Sequence, residues 1–199
     1  MHLIAIGFHL KEMLPILKSV IKHFNVDYLV SNFHRGYNPD LIQLPEETEG
    51  LFIDQEVIQI NGKYPIPQKD LIPLDEKIIF DFAECETITL RMMDRLKRLE
   101  GFNHRYYNRK RVYLRHLRFW NHILATKNID IAIFYSIPHI IFDYVLFKLC
   151  KYYNIPTVVL SQGHIEDCSY FFNDFKDISP RIKEEYTRLK KKFENVELE

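Results

Sequence analysis

Apolar residues fall in short runs separated by segments of helical spacing. HLIAIGF (2–8) is an apolar run closed by Gly7 and reads as a buried strand. KEMLPILKSVIKHF (11–24) sets Met13, Leu14, Leu17, Val20, Ile21 and Phe24 at helical spacing. Its Pro15 sits near the start, where a missing N–H costs least. VDYLVSN (26–32) reads as a second strand, and such a β-α-β crossover favours parallel pairing. Residues 33–76 break this rhythm with Gly36, Gly50 and Gly62 and with Pro39, Pro45, Pro65, Pro67 and Pro73. An irregular insertion is expected there, with a small hairpin turning near Asn61-Gly62 in LFIDQEVIQINGKYPI.

The rhythm then resumes. KIIFDFA (77–83) reads as a third core strand, followed by helices over 86–100 and 103–127. A strand over 129–136, a helix over 138–154 with Pro138 in its first turn, and a strand over 155–162 come next. A terminal helix over 181–196 and a charged tail close the chain. Strands alternating with helices predict one Rossmann-like α/β domain over 1–199, in three layers around a mostly parallel sheet.

Composition narrows this. A 47% hydrophobic content supports a packed core. The 27 Lys and Arg balance the 27 Asp and Glu, so bulk charge points to no nucleic-acid partner. Cys85, Cys150 and Cys168 are odd in number, form no CxxC pair and fit a reducing, cytoplasmic setting. The opening MHLIAIGFHLKE lacks a basic leader, and the apolar run near Ile140 is broken by Asp143 and Lys148. Neither a signal peptide nor a membrane span is expected.

The chain has no GxGxxG, P-loop, HExxH or GxSxG motif. Ligands of open parallel sheets sit beyond the carboxyl ends of the strands. By that rule the candidates are Gly7 and His9, then Glu84 and Glu86, then Ser136 and His139, then Gln162, Gly163 and His164. Ser136, His139 and Asp143 lie on one short segment, which cannot readily place them in the order a nucleophilic triad demands. Ser136 instead suits a helix cap, with Pro138 as helix starter. His139 and Asp143 are four apart, so on a helix they share a face. Asp143 is the only Asp, Glu, Lys or Arg between Ile131 and Phe147. The pair has two readings: a carboxylate tuning a ligand-facing base, or a structural pair.

The long helix carries two stripes. Tyr106, Tyr113, Leu117, Trp120 and Leu124 form an apolar one. Arg111, Arg115, Arg118 and His122 form a basic one nearly opposite. The basic stripe is either a solvated face or a surface for phosphates, an anionic glycan or a lipid headgroup. Met92-Met93 reads as core filling, and Asp94 as the partner of Arg91, Arg95 or Arg98 in a surface ion pair.

NIDIAIFYSIPHIIFDYVLFKLCKYYNIPTVVLSQ (128–162) runs through an Asp-led strand, Pro-His, a helix, and Asn-Ile-Pro-Thr before a strand. It resembles a segment of capsule and O-antigen biosynthesis glycosyltransferase-like proteins of bacteria. HIEDCSYFFNDFKDISPRIKEEY (164–186) resembles their downstream segment, and the likeness covers roughly residues 77–190. The resemblance implies a two-Rossmann-domain (GT-B) glycosyltransferase whose N-terminal domain binds the acceptor and whose C-terminal domain binds the sugar nucleotide. At about half the usual length, and with no donor-type E-x7-E helix pattern placed, the chain would be the acceptor-binding half, inactive alone. It would carry no cofactor or metal of its own, with a nucleotide sugar expected only alongside a second domain. Its implied partners are a glycan or lipid-linked glycan acceptor and a peripheral contact with the membrane or a biosynthetic complex, but no nucleic acid. His9, His139 and Glu84 are candidate bases by position. Two alternatives stand beside this reading. One is a non-catalytic interaction module of the same pathway. The other is a small free-standing α/β hydrolase or transferase using the His139–Asp143 pair.

Overall fold

Alternation along HLIAI sends Leu3 and Ala5 to one side of a sheet and Ile4 and Ile6 to the other, and all four are buried. The computed structural model describes residues 1–8, 13–31, 51–95, 105–162, 169–177 and 180–193. Six strands form one sheet: β1 (His2–Ile6), β2 (Asn25–Ser31), β3 (Leu51–Asp54), β4 (Ile131–Phe134), β5 (Thr157–Gln162) and β6 (Ser169–Phe172). Their order is β3-β2-β1-β4-β5-β6. The first five are parallel, and β6 runs antiparallel to β5. The helices are α1 (Leu14–Ile21), α2 (Gln55–Asn61), α3 (Glu76–Asp81), α4 (Ala83–Met93), α5 (Tyr106–Thr126), α6 (Phe142–Tyr152) and α7 (Pro180–Phe193).

Leu3, Ala5, Leu29 and Ile133 pack with Leu17 of α1. Ile4, Ile6, Val30 and Phe134 pack with Trp120 of α5 and Phe147 of α6. A sheet buried on both faces by helices is the expected three-layer, Rossmann-like architecture. The β1–β2 register slips between Leu3 and Ile4, leaving Asp27 as the extra residue. Its carboxylate accepts the Leu3 N–H at 3.0 Å, so the bulge leaves that donor satisfied.

Four expectations change. KIIFDFA is helical, not a strand: Asp75 caps α3 by accepting the Ile78 N–H at 2.7 Å, and Lys77 bonds Asp81 one turn on at 2.6 Å. Ile78 is buried while Phe80 is 81% exposed, a pattern that serves a short surface helix. The Asn61-Gly62 hairpin is absent as well. Those residues end α2, where Gly62 takes φ +58° and donates its N–H to Ile58 O at 2.7 Å. Residues 51–76 are therefore sheet and crossover rather than an insertion, while 33–50 lie outside the described residues. Helix α6 starts at Phe142, so Pro138 precedes it and Ser136 does not cap it. Finally, β6 was not expected. Its four-residue edge exposes Tyr170 and Phe171 and carries no alternation to read.

Helix α5 organises the rest. Leu117, Phe119, Trp120 and Ile123 are fully buried, a wider apolar face than the predicted stripe, of which Tyr106 is exposed. The extra face is covered by the chain after α2. Tyr64 stacks on Phe119 with ring centroids 3.8 Å apart, and its hydroxyl lies 2.7 Å from His116 Nδ1. Arg118 donates to Leu71 O at 2.7 Å and Ile72 O at 3.1 Å, and Arg115 to Asn61 O at 2.7 Å. His122 Nδ1 accepts the Ile72 N–H at 3.2 Å. Much of the basic stripe thus clamps backbone. Asp94 pairs across helices with Arg109 at 2.9 Å; Arg98, one of its expected partners, lies outside the described residues. Among the described residues no helix is long and apolar enough to cross a membrane.

Two outcomes follow for stability. A Cβ on Gly62 would lie 3.0 Å from Arg115 Cβ and 3.2 Å from Val112 O, at a φ that L residues avoid. Gly62→Ala is expected to cost about 1–3 kcal/mol in denaturant unfolding; an unchanged midpoint would refute the packing. Buried His116 is held neutral, its pKa lowered by burial and secondarily by Arg115, from 6.5 to about 3. The unfolded chain takes up that proton below pH 6.5 and the folded chain does not, so stability falls as pH drops from 6.5 towards 3. The loss should reach about 2 kcal/mol at pH 5. His116→Gln keeps a polar partner for Tyr64 and should flatten this part of the pH–stability curve.

Candidate functional site

The sheet order reverses direction between β1 and β4, and this is where open α/β sheets form their ligand crevice. Gly7 follows β1 with φ +86° and donates to Val30 O at 2.9 Å. A Cβ there would sit 3.6 Å from Tyr135 Cβ, and the Phe8 and Tyr135 rings meet edge to face at 5.5 Å. Gly7 is therefore beside the β4 end, and the next residue, Phe8, is buried. His9, Gly163 and His164 lie outside the described residues, as does the side chain of Gln162, whose backbone ends β5. Glu84 and Glu86 sit in the first turn of α4, not at a strand end. Glu86 pairs with Lys110 at 3.1 Å, and Glu84 is exposed.

The β4–α6 loop is the described part of this edge that carries the most side-chain hydrogen bonding. Asp143 is buried and its carboxylate accepts three backbone N–H groups: His139 at 3.0 Å, Ile140 at 2.6 Å and Tyr144 at 2.6 Å. Burial pushes its carboxyl pKa up, and the three donors pull the other way. The grip holds Ile141 at φ 52°, ψ −78°, a region β-branched residues shun. Asp143 and His139 thus meet, but through the His139 main chain. The imidazole turns aside, with Nδ1 2.6 Å from Ile137 O. A carbonyl only accepts, so Nδ1 carries the proton and neutral His139 keeps Nε2 as an acceptor. The ring is exposed, in a cleft of about 190 Å³ shared with Gln59, Met92, Arg95, Ile140 and Ile141. Arg95 donates to the His139 carbonyl. Ser136 is exposed on the same loop.

Arg111, Arg115 and Arg118 come together elsewhere, in a groove of about 490 Å³ between α5 and the 68–79 chain. Reasoning on the sequence missed Lys110 in that groove and Gln59 and Arg95 beside His139. Lys110 lies about 100° round the helix from Arg111, off the stripe's spacing, so the stripe did not mark it. Gln59 and Arg95 gave no signal, because Arg95 is 44 residues from the carbonyl it holds.

No family model, no curated protein and no solved structure matches the chain. Chemical capacity is read from the side chains themselves. Cys85 and Cys150 are buried, and burial pushes their thiols up to about 11 and about 12, which leaves them poor nucleophiles. His139 is an exposed imidazole whose tautomer is set by the Ile137 carbonyl. Asp143 is its positioning residue: Asp143→Ala is expected to cost about 2–4 kcal/mol, because three N–H groups lose their acceptor. Asp143→Asn should cost less, since Oδ1 can keep Ile140 and Tyr144. Equal denaturant midpoints for the three proteins would exclude the clamp.

Proposed function

We propose that this chain is the acceptor-binding domain of a glycosyltransferase acting in bacterial surface-polysaccharide biosynthesis, with a nucleotide sugar bound by a second domain. The observation that carries the reading is the His139 imidazole. It is exposed beyond the carboxyl end of β4, and the Ile137 carbonyl sets it to present Nε2 as a proton acceptor. An acceptor hydroxyl bonded to Nε2 gives up its proton there as its oxygen attacks the donor's anomeric carbon. The nucleotide diphosphate leaves, and the new imidazolium keeps its Nδ1–H···O=C bond. The fold alone is compatible with many activities. The resemblance of 128–162 to polysaccharide glycosyltransferase-like proteins covers this same loop and turns the reading to sugar transfer. The acceptor is a glycan or lipid-linked glycan, met at the cytoplasmic face of the membrane. The free-standing hydrolase reading loses its orienting carboxylate, because Asp143 is engaged by backbone N–H groups.

A non-catalytic interaction module is the competing reading, favoured by α7, where Tyr186 and Phe193 are 66% and 53% exposed. Polysaccharide output in the producing cell separates the two. A lost general base predicts a fall of about 10²–10⁴-fold in transfer for His139→Ala, with the protein still folded by circular dichroism. Undiminished output would sink the catalytic role and select the interaction module.

A further inference from the structure

The α5 groove has no part in the base chemistry of His139, and its lining is specific. Lys110, Arg111, Arg115 and Arg118 face it; Lys110 is paired with Glu86 at 3.1 Å, and among the described residues no carboxylate lines the groove. Its walls are apolar: Ile79 and Leu114 line it with Pro73, Leu74 and Tyr107. Ile79 is 41% and Tyr107 83% exposed, beside four cations. Arg115 and Arg118 spend part of their N–H groups on the carbonyls of Asn61, Leu71 and Ile72. Each guanidinium has five donors, so further N–H groups remain on side chains whose planes are already held. Arg111 is exposed and bonds Asn108 on its own helix.

Arg111, Arg115 and Arg118 have no carboxylate partner among the described residues and favour an anion, and exposed apolar walls favour a hydrophobic body. Inorganic phosphate would leave the walls wet. A neutral lipid would leave the guanidinium groups unanswered. A carboxylate is satisfied by one fork, whereas three phosphate oxygens can engage several. At about 490 Å³ the space falls in the range of small-ligand sites. We propose that this groove binds the phosphate group and adjoining hydrocarbon of a phosphomonoester of an apolar alcohol. Such a head occurs on a membrane lipid or on a soluble ester. The assignment needs only the groove, so it stands or falls apart from sugar transfer.

The test is calorimetric titration of the full chain with octyl phosphate below its micelle concentration, against inorganic phosphate and octyl glucoside. Octyl phosphate should bind at least about tenfold more tightly than either control, since both a charge-assisted contact and apolar burial are then made. Arg111→Ala should weaken it about tenfold, one charged hydrogen-bond partner's worth. Ile79→Asp should remove the preference for octyl phosphate over inorganic phosphate. Flotation with phosphatidylcholine vesicles, with and without phosphatidic acid, identifies the source. Arg111-dependent capture by phosphatidic acid assigns a lipid, and octyl phosphate binding without capture assigns a soluble ester. Octyl phosphate binding no better than inorganic phosphate, or unaffected by Arg111→Ala in a folded protein, overturns the proposal.

Discussion

Most of the architecture depends on how α5 is held. One side of the helix carries Trp120, Leu117 and Ile123 into the core that Ile4, Ile6 and Phe134 supply from the sheet. The other side meets the chain after α2, stacking Phe119 on Tyr64 and binding three backbone carbonyls through Arg115 and Arg118. A connecting segment of this kind must find partners for its backbone groups if it is to lie against a core. Guanidinium groups suit that task, since one Arg can donate to two carbonyls while staying partly solvated. The same clamping leaves cationic side chains aligned along a groove with apolar walls. The clamp and the groove's cationic lining come from one set of residues.

A second local constraint shapes the sheet edge. Asp143 gathers three N–H groups around one buried carboxylate, and this delays α6 until Phe142. The loop is left in a strained conformation at Ile141. Strain of this kind persists only where neighbours over-determine it, and here the carboxylate does so. The result presents His139 outward with its Nδ1 occupied. A pair spaced for a helix face therefore works as a loop staple.

Three errors of reading share a cause. KIIFDFA looked like a strand because a short apolar run has no period long enough to distinguish strand from helix. The deciding signals were nearby: Asp75 as a cap and Lys77 with Asp81 one turn apart. Asn61-Gly62 signals a left-handed residue, which serves a hairpin or a helix end equally, and α2 had no strand to pair with beyond it. Pro138 favours a helix start, but Asp143, five residues on, competes for the free N–H groups and takes them.

The sequence by itself determined the alternation of buried strands and amphipathic helices, and with it the parallel, three-layer class. Those features depend on hydrophobic periodicity, which is local. It also determined that Arg111, Arg115 and Arg118 share a helix face, and that His139 follows a strand. The tertiary structure alone decided what those residues touch. Whether an arginine faces solvent, a ligand or a carbonyl 54 residues away depends on which segment is laid across it. The orientation of the His139 ring likewise depends on a carboxylate that holds its main chain rather than its side chain. Such contacts are set by packing between distant elements, and no period along the chain encodes them.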